Sequence, residues 1–308
     1  MRLHTIARAF TIAALASAAL ASTGTAQTEI DRRRPASAKG AVSIENDFGS
    51  ITVRGWETNE VLVRGTLAAG AEGLSFEGEK GETSISVEVP EQWMHAAGED
   101  AAFRSNLEVF VPAGSKLSLE SVNGAIVVGA VTGRVEVQTV NGNVRIDAPA
   151  SAVEVDTMTG SVEVRARAAP MSIHSISGAV LLEGATGEVK VETVSGNVTV
   201  KGADIADLDV ETTTGEVELR GSLARKGEIG VETFSSPVKI FLPAGAKATF
   251  DLQTFSGEIH SQFCAGTPLT RRGFEPFRHL QCSTGSEEFE ITIRTHDADI
   301  TLSQEGSK

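Results

Sequence analysis

Glycines placed at a fixed step constrain this chain more than any other feature. Gly124, Gly142, Gly160, Gly178 and Gly196 stand 18 residues apart, and Gly215 follows after 19. Each closes the same phrase of Ser/Thr, any residue, Asn/Ser/Thr, then Gly. The copies are Ser121-Val122-Asn123-Gly124, Thr139-Val140-Asn141-Gly142, Thr157-Met158-Thr159-Gly160, Ser175-Ile176-Ser177-Gly178, Thr193-Val194-Ser195-Gly196 and Thr212-Thr213-Thr214-Gly215. A self-similar step of this length marks stacked repeats, in which one unit is too small to bury its own apolar face.

A half-period of nine lies inside each unit. Gly133 and Gly187 fall midway between their neighbours, and Ser151 and Ala169 hold the equivalent places elsewhere. After each turn the apolar residues keep a step of 2, then 3, then 4, as in Val135, Val137, Val140, then Val144, Ile146, and in Val153, Val155, Met158, then Val162, Val164. Alternation over four or five residues is strand periodicity. Each coil therefore reads as two short strands and two corners, with Val140 and Met158 inward. Thr139 and Asn141, Thr157 and Thr159, Thr193 and Ser195, and Thr212 and Thr214 then point outward. Burial of a few inward side chains does not offset the entropy of ordering 18 residues, so the coils must stack to fold. Asn141-Gly142 is also a hairpin signal. A hairpin there would leave Val140 outside, whereas a solenoid is expected to keep it inside and to stack like on like. The predicted fold is an all-β, single-domain β-solenoid.

The period loosens toward both ends. Ser236, after Thr233-Phe234-Ser235, and Gly257, after Thr254-Phe255-Ser256, each follow by 21 residues, and Thr295-His296-Asp297-Ala298 is the last copy. Asn46-Asp47-Phe48-Gly49 reads as a degenerate first one. A longer phrase occurs twice, Val109-Phe110-Val111-Pro112-Ala113-Gly114-Ser115-Lys116 and Ile240-Phe241-Leu242-Pro243-Ala244-Gly245-Ala246-Lys247. Proline ends strand pairing, so these phrases are expected to bracket the regular stack. The boundaries that result are a leader over 1–26, a flexible segment over 27–39, the solenoid over 40–303 with its most regular part at 117–220, and a tail over 304–308.

The leader reading rests on Arg2 and Arg8, an apolar run from Ala9 to Ala21, and Gly24-Thr25-Ala26 as a cleavage site. The run is shorter than the ~20 residues needed to span a bilayer. Export is expected, to the periplasm, with the cell surface or medium as alternatives and no integral membrane segment after leader removal. The formal charge is -14, and loss of Arg2 and Arg8 would leave -16. Such a chain repels phosphate backbones, which excludes nucleic acid as a partner. In an oxidising compartment Cys264 and Cys282 are expected to form a disulfide.

The phrase Ser/Thr-x-Asn/Ser-Gly-x-Val/Ile-x-Val/Ile, the Val-Pro-Ala-Gly-Ser-Lys phrase before the first copy and the final Asp299-Ile300 strand resemble the bacterial β-strand-repeat family named "putative adhesins". The resemblance covers about residues 40–303. It implies a cell-envelope protein with a β-helix-like fold, no established molecular function and no catalytic residues to carry over. Ser236-Pro237 and Ala298 depart from the pattern and imply irregular coils there.

Candidate chemistry is sparse. His95, His174, His260, His279 and His296 show no metal spacing, and His174 reads as a solvated outward residue. Nucleophile elbow and phosphate loop are absent. No catalytic, cofactor-binding or metal residue is assigned. Glu136, Glu154, Asp156, Glu163, Glu188, Glu192, Glu211, Glu216 and Glu218 line outward positions among Arg134, Arg145, Arg165 and Lys190, as a solvated face would. Calcium binding lacks its nine-residue signature. Stacked Thr-x-Thr rows resemble ice-binding faces, but Asn and Ser break their regularity, and a structural ladder explains them. Arg271, Arg272, Phe274, Phe277, Arg278 and His279 form a basic, aromatic loop between the cysteines. It reads as a cap over the open end or as a partner-binding loop, with Trp93 and Trp56 placed similarly at the other end. The expected function is a non-enzymatic envelope interaction scaffold, its partner an envelope protein or glycan. The rival is a carbohydrate-active β-helix enzyme, a lyase or hydrolase, which requires carboxylates converging in a groove beside aromatic platforms.

Overall fold

The computed structural model describes residues 27–79, 81–93, 103–166, 170–264, 269–270, 277–285 and 288–305. The leader, His95, Ala169, Arg271, Arg272 and Phe274 lie outside them. The N-terminal strands are β1 (Thr28–Pro35), β2 (Ala41–Glu45), β3 (Gly49–Trp56), β4 (Glu60–Leu67), β5 (Gly73–Glu79), β6 (Glu82–Glu88) and β7 (Ser105–Pro112). The regular part holds β8 (Lys116–Asn123), β9 (Ile126–Gly129), β10 (Arg134–Asn141), β11 (Val144–Asp147), β12 (Ala152–Thr159), β13 (Val162–Arg165), β14 (Met171–Ser177), β15 (Val180–Ser195), β16 (Val198–Thr214) and β17 (Val217–Ser235). The chain ends with β18 (Val238–Leu242), β19 (Thr249–Thr254), β20 (Ile259–Ser261), β21 (Leu269–Thr270), β22 (Arg278–Ser283), β23 (Phe289–Thr295) and β24 (Ile300–Gln304).

Two parallel ladders build a β-solenoid. In one, Leu117, Val135, Val153, Met171, Val189, Leu208, Ile229 and Ile291 stack in register. In the other, Ile126, Val144, Val162, Val180, Val198, Val217, Val238 and Ile300 do the same. Like stacks on like because an 18-residue step returns each position above itself. The apolar columns of both ladders close on one continuous core.

The corner differs from the parity expected above. Val135, Val137 and Thr139 are all buried, and Val140 and Met158 are exposed. Strand alternation runs unbroken through Thr139, and the phase shift is absorbed later, across Val140-Asn141-Gly142-Asn143, before Val144 turns inward. Thr139, Thr157, Thr193 and Thr212 are thus inward, not outward, and two outward threonine columns do not exist. The solenoid stands, although it leaves Val140 outside just as the hairpin would. The glycine serves the turn itself. Gly178 has φ +130°, and its Cα lies against the Gly160 carbonyl of the coil below, where a Cβ has no room.

The ends do not stack in chain order. The N-terminal coil β2–β3 lies between coil β6–β7 and coil β8–β9. At the other end, coil β23–β24 lies between β17–β18 and β19–β20. The two Pro-Ala-Gly phrases mark these places. Each carries the chain past an inserted coil, a step of about 9.6 Å where the regular rise is about 4.8 Å. A β5–β6 hairpin and the β1–β4 pair close the first end, and the segment expected to be flexible over 27–39 instead supplies β1, paired along its whole length. Trp93 packs there with Phe48, Ala68 and Phe103. At the far end β22 runs antiparallel on β19, and the structure joins Cys264 to Cys282 with their Cα atoms 5.9 Å apart.

Candidate functional site

The corner phrase builds the candidate site. Its second position points to solvent in every coil, giving the column Val122, Val140, Met158, Ile176, Val194, Thr213 and Phe234. Two residues earlier, Glu120, Gln138, Asp156, His174, Glu192, Glu211 and Glu232 form a second outward column in strict register. The buried Ser/Thr between them recedes, so a trough runs along the stack. It opens at Asp47, ends at Phe234 and has a volume of about 860 Å³. One wall is apolar and the other acidic. Single exposed apolar residues are ordinary, but a contiguous row signals a contact surface.

The wall carries unbalanced charge. Among the described residues, Glu120, Asp156 and Glu211 make no ion pair. Glu192 accepts from Lys190 at 2.6 Å and meets His174 Nδ1 at 3.1 Å, which holds its carboxyl below the usual range, with the Lys190 hydrogen bond the larger cause. Burial first, then the charges of Glu45 and Glu120, push Asp47 up. The outward face of the second ladder contrasts with this. There Arg145–Glu163, Arg165–Glu183, Lys201–Glu183, Arg220–Glu218 and Lys239–Glu216 are matched at 2.6–3.1 Å. His174, read as solvated from sequence, is half-buried in the trough, with Nε2 3.1 Å from Ser172 Oγ.

Beyond Phe234 the apolar column becomes a ring stack. His296 lies between Phe234 and Phe255, with centroids 4.8 and 4.9 Å apart and planes tilted by 8° and 19°. The inserted terminal coil supplies the central ring. Phe277 borders this end with Phe255 and His296. Arg278 donates to Gly257 O at 2.8 Å and meets Glu258 at 3.2 Å, while His279 Nε2 meets Asp251 at 3.0 Å. These described members of the basic loop are therefore turned onto the terminal coil, as a cap.

The trough floor carries an oddity. The hydroxyls of Ser121, Thr139, Ser175 and Thr193 are buried without a hydrogen-bond partner among the described residues. By contrast, Thr157 and Thr212 donate to Thr159 O and Thr214 O. A buried unpaired hydroxyl is costly, and an apolar isostere removes the cost. Thr139→Val is expected to raise stability by about 1 kcal/mol in urea denaturation. A loss of stability would show that the hydroxyl has a partner in the folded protein.

The apolar wall and the ring stack escape the reading by alternation, which assigned the wall inward and left Phe234, Phe255 and His296 apart. No curated protein matches the chain. Among solved structures, a "putative adhesin" from Bacteroides fragilis NCTC 9343 is similar at 11% identity and TM-score 0.49, covering 91% of this chain and 98% of that one. A "putative cell adhesion protein" from Clostridium sporogenes ATCC 15579 is similar at 8% identity and TM-score 0.22, covering 90% and 100%. The Toastrack DUF4097 family model matches residues 41–303, from β2 to β24, and the chain belongs to that family.

Proposed function

We propose that the protein is an exported, non-enzymatic scaffold of the cell envelope that holds a partner along the trough. The observation that carries this is the unbroken exposed column Val140, Met158, Ile176 and Val194, lying in a concave surface that also holds the unpaired carboxylates of Glu120 and Asp156. The rigid stack fixes their spacing, so the surface is pre-formed and little ordering opposes binding. The leader-like first 26 residues and the adhesion names of the similar structures agree with an envelope role. A photo-crosslinking residue at Ile176 is expected to trap a partner in envelope extracts, and one at Thr199, on the other ladder, is not. Met158→Glu/Ile176→Glu should abolish that adduct. Equal labelling from both positions would remove the trough from any binding role.

One observation favours a carbohydrate-active enzyme, namely the raised carboxyl of Asp47 beside Glu120, since a general acid must hold its proton. The aromatic stack lies at the opposite end of the trough, so acid and platform do not converge, and the scaffold reading is preferred. Release of reducing sugar that disappears in Asp47→Asn would reverse that preference.

A further inference from the structure

Resting on the trough as a docking face, we infer that its occupant is a cationic polypeptide segment in the polyproline II conformation, with a basic residue at every third position. Four carboxylates, Glu120, Asp156, Glu192 and Glu232, stand on alternate coils of the acidic wall. Gln138, His174 and Glu211 hold the coils between. Adjacent parallel strands are about 4.8 Å apart, so these four repeat every ~9.6 Å. A polyproline II chain rises about 3.1 Å per residue with three residues per turn, which returns one face every ~9.3 Å. Over three intervals the two repeats drift apart by only about 1 Å.

Other conformers fit worse. A β-strand presents one face every ~6.8 Å and leaves register at the first step. An α-helix repeats every ~10.5 Å over seven residues and drifts about three times faster than polyproline II. Backbone chemistry agrees. The trough runs along the stack, where the coil amides and carbonyls are already bonded to the coils above and below, so it offers no free edge for strand addition. A polyproline II segment needs none, because it binds through side chains and its low entropy. Its apolar rings would rest on Val140, Met158, Ile176 and Val194, present on every coil. Of the four carboxylates, Glu192 is paired with Lys190 and Glu232 with Arg294 at 2.8 Å, so its basic residues would meet free charge at Glu120 and Asp156.

The probe is a labelled peptide of four Pro-Pro-Arg units, titrated against the full chain by fluorescence anisotropy. Beside it runs a peptide of identical composition with its arginines grouped at one end. The spaced peptide is expected to bind about tenfold more tightly, and Asp156→Asn/Glu192→Gln should remove about that advantage while the melting temperature holds. Equal affinity for the two peptides overturns the spacing argument, as does a double variant that binds the spaced peptide unchanged. If Ile176 still traps an envelope partner but the spaced peptide does not bind, the polyproline II occupant is wrong and the docking face stands. If Ile176 traps nothing, the docking face itself fails.

Discussion

Val191→Asp is expected to unfold the coils around it, whereas Val194→Asp, three residues later, leaves the protein folded. Val191 is 0% exposed between Ile173 and Val210, and no cation reaches it there, so a carboxylate is buried without a partner. Groups in that position cost several kcal/mol, and we expect a loss of at least about 4 kcal/mol or no folded protein. Val194 is 51% exposed on the apolar wall of the trough, and its replacement should cost less than about 1 kcal/mol. Val155→Asp should behave as Val191→Asp does. Thermal unfolding followed by circular dichroism separates the outcomes. Equal melting temperatures for the Val191 and Val194 variants would show that the inward and outward columns are assigned wrongly.

The second large effect is expected at the glycine column. Gly178→Ala combines a positive φ with a Cβ placed on the Gly160 carbonyl of the adjacent coil. Neither strain is relieved locally, because the Gly178 amide is itself bonded to Ser195 O at 3.0 Å on the other side. The change should cost about 3 kcal/mol or more. Gly245→Ala provides the contrast. Its Cβ meets nothing within 4 Å and its φ lies outside the left-handed region, so stability should hold within about 0.5 kcal/mol. A Gly178→Ala protein as stable as its Gly245→Ala counterpart would mean that the coils do not approach each other as described.

These two substitutions also mark what the sequence could and could not show. The step of 18 residues implied stacking, and the stack follows it, with Gly124, Gly142, Gly160 and Gly178 superposed coil on coil. Facing was harder, because alternation predicts parity only until a corner shifts it. A better signal lay in the columns themselves. The first phrase position holds Ser121, Thr139, Thr157, Ser175, Thr193, Thr212 and Thr233, all small hydroxyl residues. The second holds Val122, Val140, Met158, Ile176, Val194, Thr213 and Phe234, which range from threonine through valine to phenylalanine. A buried column restricts volume, while an exposed one tolerates variety. Uniformity therefore identified the inward position, even though threonine is the more polar residue.

The order of the coils was not legible. A repeat says that units stack, but nothing in its period says which unit lies beside which. The 41-residue gap from Gly257 to Ala298 and the two Pro-Ala-Gly phrases are the visible traces of the insertions. The trough was hidden for the same reason. Phe234, His296 and Phe255 become neighbours only once the terminal coil is known to sit inside the stack.

That insertion also makes chain length self-checking. An ordinary solenoid truncated at its last repeat merely exposes a new end, and a protease trims it back coil by coil. Here a chain that stops before Phe289 leaves a vacant slot between β17–β18 and β19–β20, with unmet strand edges on both sides of the gap. The N-terminal coil is guarded in the same way, since β2 and β3 are gripped on both flanks only after residue 129 has joined. Coils β2–β3 and β23–β24 cannot fray outward, because each is wedged between coils that the rest of the chain provides. A molecule in which both slots are filled has therefore been read through at least to β24.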